Sequence, residues 1–282
     1  MSTEAAVGES ARSRWRLVWF LAVAICAIGV FLAVKDSLID DAYITLAYVR
    51  NVAENLHWGM IPQEISNSAT SPLNVLLLAA VTAALRVAGG IHPVWALGVV
   101  FVGSILVAAA GWAKIGRALR LSWWAPVVGT IVVLVDPFVL SATGLEVHLM
   151  AAAMIMLVAL AAEGRPVWFG VVAGLALVIR LDLVIFVVVI AAFVSAIRRR
   201  LGIAALVAVL VSAPWYVFSW FYFGSAIPDT FAIKTLAGAF NDTWTYVDGP
   251  LWYLEMADAR VATIISFTLA GVGVLALIGW TI

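Results

Sequence analysis

The sequence predicts an all-α fold, a polytopic transmembrane helical bundle with juxtamembrane helices in its first outer loop. Three observations predict the bundle. First, 65% of the 282 residues are hydrophobic and 11% are charged, whereas a soluble domain carries about 25% charged residues. Second, apolar runs of nearly twenty residues recur along the whole chain, the length that crosses a hydrocarbon core of about 30 Å. Third, those runs are continuous. Lipid offers backbone N–H and C=O groups no partner, so a continuous apolar run must satisfy them as a helix. A membrane β-barrel would instead show short alternating segments, and none is present. The whole chain, 1–282, is expected to form a single transmembrane domain.

The first element is the run from Leu17 to Val34, preceded by Arg12, Arg14 and Arg16. It is longer than the apolar core of a cleaved signal peptide, and no small-x-small cleavage site follows it. A retained first helix is expected. Its Cys26 is the only cysteine in the chain and cannot form an intrachain disulfide.

The basic residues order the remaining elements. They cluster at Arg12/Arg14/Arg16, Lys114/Arg117/Arg120, Arg165 and Arg198/Arg199/Arg200. Basic residues favour cytoplasmic loops. If Pro72–Gly89 were a full crossing, the Lys114–Arg120 cluster would fall outside. If it lies on or dips into the outer leaflet, every cluster falls inside. Eight spans are then expected, at 17–34, 93–113, 122–140, 148–162, 167–180, 183–197, 202–221 and 261–281, with large outer loops near 35–92 and 222–260. The pair around Arg180–Asp182 is short for two spans, and a bent or tilted arrangement is the alternative there. Trp15, Trp19, Trp123, Trp124, Trp168, Trp220 and Trp280 fall near span ends, where amphipathic rings anchor in the headgroup layer. The chain ends at Ile282 directly after an apolar run, as expected of a compact version or a fragment of a longer protein.

A charge at the membrane edge or within it costs roughly 2.5–3.5 kcal/mol on insertion scales, so the charges outside the cytoplasmic clusters are the informative ones. The first group follows the first helix: IDDAYITLAYVRNVAENLHWG, residues 39–59. Apolar positions recur at Ala42, Leu46, Val49, Ala53 and Leu56, with Asp41, Thr45, Asn51, Glu54 and Asn55 outside that stripe. An interfacial amphipathic helix is expected. Asp40 or Asp41 could cap its N-terminus, but one acid suffices for a cap, which leaves at least one carboxylate for function.

Three further polar groups follow. In SATGLEVHL, 141–149, Gly144 permits a tight turn, and Glu146 and His148 begin the next span. An ordinary solvated turn is the other reading. In VIRLDLVIF, Arg180 and Asp182 interrupt an apolar stretch. They either neutralise each other as an ion pair, or Arg180 presents its planar fork to a phosphate. In FGSAIPDTFAIKTL, 223–236, Asp229, Thr230 and Lys234 stand on a segment too apolar for a free linker. Solvated loop charges are the alternative there. Asn241-Asp242-Thr243 spells a glycosylation sequon, to which no role is assigned.

Several function classes are excluded. Formal net charge is zero, so bulk attraction suggests no nucleic-acid partner. No zinc spacing, Walker A loop, G-x-G-x-x-G or G-x-S-x-G motif is present. His57, His92 and His148 are too scattered to form a metal site by spacing.

The ordered set resembles the GT-C class of membrane glycosyltransferases, and most closely the actinobacterial cell-wall arabinofuranosyltransferases. The resemblance rests on Asp40-Asp41-Ala42-Tyr43-Ile44 with Tyr48-Val49-Arg50-Asn51, then Ser71-Pro72-Leu73-Asn74, Thr143-Gly144-Leu145-Glu146, Arg180-Leu181-Asp182, and Pro228-Asp229-Thr230-Phe231 with Lys234-Thr235. These span residues 39 to 235. Leu181 stands where the family carries proline, Thr143 where it carries serine, and Asp229 where it carries asparagine. Longer members of that class have further spans and often an extracytoplasmic carbohydrate-binding domain, which is not expected within residues 1–282.

The resemblance implies transfer of a sugar, arabinofuranose or another pentose or hexose, from a polyprenyl-phosphate carrier. The acceptor would be a cell-envelope glycan or lipid on the outer face of a bacterial plasma membrane, with the N-terminus cytoplasmic. It implies Asp40 or Asp41 as catalytic base, with Asp40 favoured as the first after the span. Arg180, Lys234 and His148 would bind the donor phosphate. Tyr43, Arg50, Asn51, Glu146, Asp182 and Asp229 would line the substrate cavity. No cofactor is firmly expected. A divalent cation, Mg²⁺ or Mn²⁺, would fall to Asp41 and Glu146. A transporter or flippase of lipid-linked sugars, or a non-catalytic relative, is the alternative reading.

Overall fold

A computed structural model describes residues 3–230 and 249–281 of the chain. Most of the described residues are helical, and no strand occurs among them. In chain order the helices are α1 (Thr3–Val34), α2 (Asp40–Asn55), α3 (Pro72–Leu85), α4 (Pro93–Ala118), α5 (Trp124–Val135), α6 (Pro137–Ser141), α7 (Val147–Ala162), α8 (Pro166–Ile179), α9 (Val184–Phe193), α10 (Ser195–Arg198) and α11 (Leu201–Phe223), then α12 (Gly249–Glu255) and α13 (Ala257–Thr281). Single 3₁₀ turns, Arg86–Ala88 and Leu181–Leu183, extend α3 and precede α9.

Four helical segments are long and apolar enough to cross a membrane: 14–34, 93–118, 201–223 and 257–275. Helix α4 is the centre, with half of its apolar window buried against α1, α3, α5 and α7. By contrast, only 17% of the α1 and α11 windows and 6% of the α13 window are buried. Their outward faces carry Leu21, Ile25, Ile28, Leu206, Val209, Leu210 and Ile264, a solvent contact that suits hydrocarbon rather than water.

Two expected spans are interrupted. Within 122–140, Pro137 has no N–H to donate and disfavours helical backbone at Asp136. Asp136 is extended and caps α6, its Oδ1 accepting the N–H groups of Phe138 and Val139 at 3.0 Å each. Its Oδ2 accepts from Ser266 of α13 at 3.1 Å. Within 183–197, Val194 is extended and divides α9 from α10. Helices α5, α7, α8 and α9 hold 10 to 16 residues, about 15–24 Å of helix. That is short of the roughly 30 Å of a hydrocarbon core.

Contacts between side chains fix the helix directions. The Phe101 ring packs tilted against His148 with ring centroids 4.5 Å apart, Gly111 meets Ile155, and Lys114 Nζ donates to Glu163 Oε2 at 2.8 Å. Helices α4 and α7 therefore run the same way. Helix α8 runs alongside α11 in the same direction, Gly170 against Ala204 and Gly174 against Ala208 and Val211. Tyr216 Oη closes this contact by donating to the Leu177 carbonyl at 2.7 Å. One end of the bundle thus gathers Lys114, Glu163 and Arg165 in a cluster of ion pairs. The α10–α11 junction lies there too, since Ala196 packs on Gly164.

Helix α3 stays at the opposite end. Its start, at Ser71 and Val75, faces a cavity shared with Glu146 and Arg180. Its far end joins α4 through residues 89–92, and Gly98 of α4 packs on Phe31, three residues before the end of α1. Both ends of α3 therefore lie at the end of the bundle where α1 finishes.

The spacing Gly170-x-x-x-Gly174 allows α8 and α11 to touch backbone to backbone, as small residues four apart do in membrane helices. A Cβ at Gly170 would lie 2.5 Å from the Ala204 carbonyl oxygen. Gly170→Leu is expected to destabilise the protein by about 1–3 kcal/mol through overpacking. Gly202→Leu, at a position with no atom within 4 Å of the added Cβ, is expected to be neutral. Thermal unfolding of both variants in detergent checks the contrast.

Candidate functional site

Three short segments from distant parts of the sequence meet at the α3 end. The first is the start of α2. Ile39 is extended, and Asp40 and Asp41 occupy the first helical turn, where carboxylates are favoured by the helix dipole. Neither makes a side-chain cap at the N-terminus; instead Asp40 Oδ1 accepts the Asp41 N–H at 3.0 Å. The second is the turn before α7. Gly144 has φ +105°, open to glycine, and a Cβ there would overlap that of Ala42. The absent side chain is what lets this turn dock on α2. The third is the break after α8, where Arg180 is extended between the helix and the following 3₁₀ turn.

Arg180 holds the second and third segments together. Its Nη1 donates to Glu146 Oε1 at 2.8 Å, and its Nη2 to Asp182 Oδ2 at 2.9 Å. Nε reaches both Asp182 oxygens at 3.1 and 3.2 Å. The guanidinium cannot lose its proton at any accessible pH, so this is a permanent cation between two acids. Glu146 is 5% exposed, and Arg180 is its ion-pair partner.

Beside this pair lies a cavity of about 460 Å³, the size of a small-ligand site, in which polar groups are set among Ile44, Met60, Ala69, Val75 and Leu145. It is the more polar of two neighbouring spaces. Asp41, Thr45 and Tyr48 of α2 line it, as do Ser68, Thr70 and Ser71 before α3, Glu146, Arg180, and Thr230 after α11. The wall from Ser66 to Ser71 is held from outside. Asn67, 4% exposed, donates to the carbonyls of Ser225 and Ile227 at 3.4 and 3.1 Å, and its own carbonyl accepts the Asp229 N–H at 2.9 Å. Thr230 adds a bond to the Ser68 carbonyl at 3.2 Å.

A second cavity, about 530 Å³, opens beside the first and is almost wholly apolar. Leu73, Leu76, Leu175, Val178, Trp215 and Phe218 line much of it, together with Trp58, whose ring lies 4.7 Å from Trp215 and 5.8 Å from Tyr48. Helix α3 separates the two spaces. Ser71 and Val75 face the polar one, Leu73 and Leu76 the apolar one.

Of the residues expected at the site, the polar cavity brings together Asp41, Glu146 and Arg180, with Asp182 holding Arg180 from behind. Asp40 stands beside Asp41 but not on the cavity lining, contrary to the preference for the first acid. Several others are placed elsewhere. Asn51 turns inward and donates to the Gly59 carbonyl at 2.8 Å, pinning the chain after α2. Leu56, the last position of the apolar stripe, is 90% exposed in the left-handed position that ends the helix. Arg50 points outward and pairs with Glu54 at 3.3 Å. Tyr43 is exposed, His148 is buried under Phe101, and Asp229 contributes its backbone. Lys234, with Asn241-Asp242-Thr243, lies outside the described residues.

The hydroxyl-bearing residues Thr45, Tyr48, Ser68, Thr70 and Ser71 are additional to the expected set. The run Ser66-Asn67-Ser68-Ala69-Thr70-Ser71 directly before an apolar helix is the signal that could have found three of them. No group of three or more His, Cys, Asp or Glu side chains converges among the described residues. Asp41 and Glu146 are two carboxylates, one already tied to Arg180, a poor donor set for a divalent cation. Comparison with protein-family models, curated proteins and solved structures finds no match to this chain.

Proposed function

We propose that this chain is a membrane glycosyltransferase of the GT-C kind, moving a sugar from a polyprenyl-phosphate carrier to a hydroxyl-bearing acceptor. The observation that carries the reading is the pairing of spaces across α3: a carboxylate- and hydroxyl-lined cavity beside an apolar groove. An amphiphile with a sugar-phosphate head and a hydrocarbon tail requires that pairing. The ordered motifs from Asp40-Asp41 to Arg180-Leu181-Asp182 support the same class by resemblance.

Chemically, Asp41 takes the proton of the acceptor hydroxyl as that oxygen attacks the anomeric carbon, and the bond from that carbon to the carrier phosphate breaks. A base within hydrogen-bond reach of the acceptor is what the step needs. Arg180 supplies positive charge toward the leaving phosphate. Its fork is occupied by Glu146 and Asp182, so its role is electrostatic and orienting, and any direct contact displaces the half-exposed Asp182. With the end that carries Lys114, Arg165 and the 198–200 arginines on the cytoplasmic side, the cavity faces outward in a bacterial plasma membrane.

The test is release of polyprenyl phosphate from a panel of polyprenyl-phosphate pentoses and hexoses by the purified chain in lipid nanodiscs. Release that depends on a hydroxylated acceptor is the expected result. No release from any donor with any acceptor sinks the transferase, and transport of the intact donor across the bilayer would put a flippase in its place.

A further inference from the structure

The charged residues leave an electrostatic problem at the cavity. Asp41, Glu146 and Arg180 line it, which sums to one net negative charge before Asp182 is counted. A phosphate entering there needs donors other than Arg180. The wall from Ser68 to Val75 carries no acid.

That wall ends in the start of α3, a helix of 14 residues. Ser71 occupies the capping position but makes no capping hydrogen bond, unlike Asp136 at the start of α6. Its hydroxyl is buried, with the residue 5% exposed, and Oγ has no hydrogen-bond partner although the residue lines the polar cavity. Pro72 follows and has no N–H. The next two N–H groups, of Leu73 and Asn74, are left without an intrahelical acceptor by helix geometry. Asn74 itself is 1% exposed, and its side-chain Nδ2 is also unpartnered. Buried polar groups in proteins are nearly always hydrogen-bonded. A helix N-terminus combines free N–H groups with the positive end of the macrodipole, and so receives phosphate readily.

We propose that the N-terminus of α3, with the Ser71 hydroxyl, is the seat of the substrate's phosphate group. The proposal rests on the transferase reading and adds to it the phosphate's position. It also gives the lipid a direction. A phosphate at Ser71 lies where α3 turns Leu73 and Leu76 toward the apolar groove, so the hydrocarbon chain continues along the same helix. The Asp41 side of the cavity is then left to the sugar and its acceptor.

The experiment measures binding to the full chain in nanodiscs by thermophoresis. The probes are a short isoprenyl monophosphate, the corresponding alcohol, and inorganic phosphate as competitor. Wild type is expected to prefer the phosphate lipid over the alcohol by about tenfold or more. Ser71→Asp is the decisive variant, because aspartate caps a helix as well as serine does while setting a negative charge where the phosphate would sit. It is expected to abolish the preference, with thermal unfolding measured beside it to separate loss of binding from the cost of a buried carboxylate, and Ser71→Ala to weaken it about three- to tenfold. Should Ser71→Asp fail to fold, Ser71→Ala carries the comparison. Competition by inorganic phosphate marks a seat for the phosphate alone. A Ser71-dependent preference without that competition marks one that also needs the lipid chain. A wild-type preference untouched by either substitution overturns the seat and leaves the transferase standing. No preference in wild type overturns both.

Discussion

Asp41→Asn is expected to reduce sugar transfer by about 10²–10⁴-fold, the contribution of a positioned general base, with donor binding retained. Asp40→Asn is expected to stay within a few-fold of wild type. The difference follows from placement. Asp41 lines the polar cavity, whereas Asp40 uses Oδ1 to accept the Asp41 N–H, a bond that an amide oxygen also accepts. Single-turnover release of polyprenyl phosphate by the two variants, side by side, reads the result. A dead Asp40→Asn beside an active Asp41→Asn would reverse the assignment.

The second large effect is expected at Arg180. Arg180→Met leaves the buried Glu146 carboxylate without its ion-pair partner. Breaking a buried pair from one side costs about 3–5 kcal/mol, because the remaining charge is uncompensated. The double variant Arg180→Met/Glu146→Gln removes that charge and is expected to recover most of the loss in thermal unfolding. On the proposed transferase reading its activity is expected to stay low, since the positive charge proposed to face the leaving phosphate is gone. A double variant as unstable as the single would show that Arg180 acts on stability through Asp182, or through its packing, rather than through Glu146.

Much of the helical framework was legible because its causes are local. A run such as Leu17–Val34 must close its own backbone hydrogen bonds in lipid, whatever surrounds it. The Asp136-Pro137 step could have been read as a break on the same local grounds, since proline acts on its immediate neighbours. The faces of α2 were legible only in part. Ala42, Leu46 and Val49 are buried as the spacing of apolar residues predicts. Asn51, outside that stripe, is nonetheless turned in to hold Gly59, while Leu56 at its end is left exposed. Periodicity assigns residues to a face, but it does not say which backbone oxygen waits opposite.

By itself, then, the sequence determined a helical chain with apolar stretches of membrane length and clustered charges. Composition, run length and the spacing of basic residues act on each segment separately. Tertiary structure alone decided which of two adjacent acids meets the cavity, that Glu146 and Arg180 pair across 34 residues, and that Asn67 ties the cavity wall to Ile227 across 160. It also decided that Ser71 reaches the cavity with its hydroxyl unbonded. These depend on contacts between segments far apart in the chain, set by close approach at a turn glycine, Gly144, and a helix glycine, Gly170. There the missing side chain, rather than a chemical group, lets the site assemble.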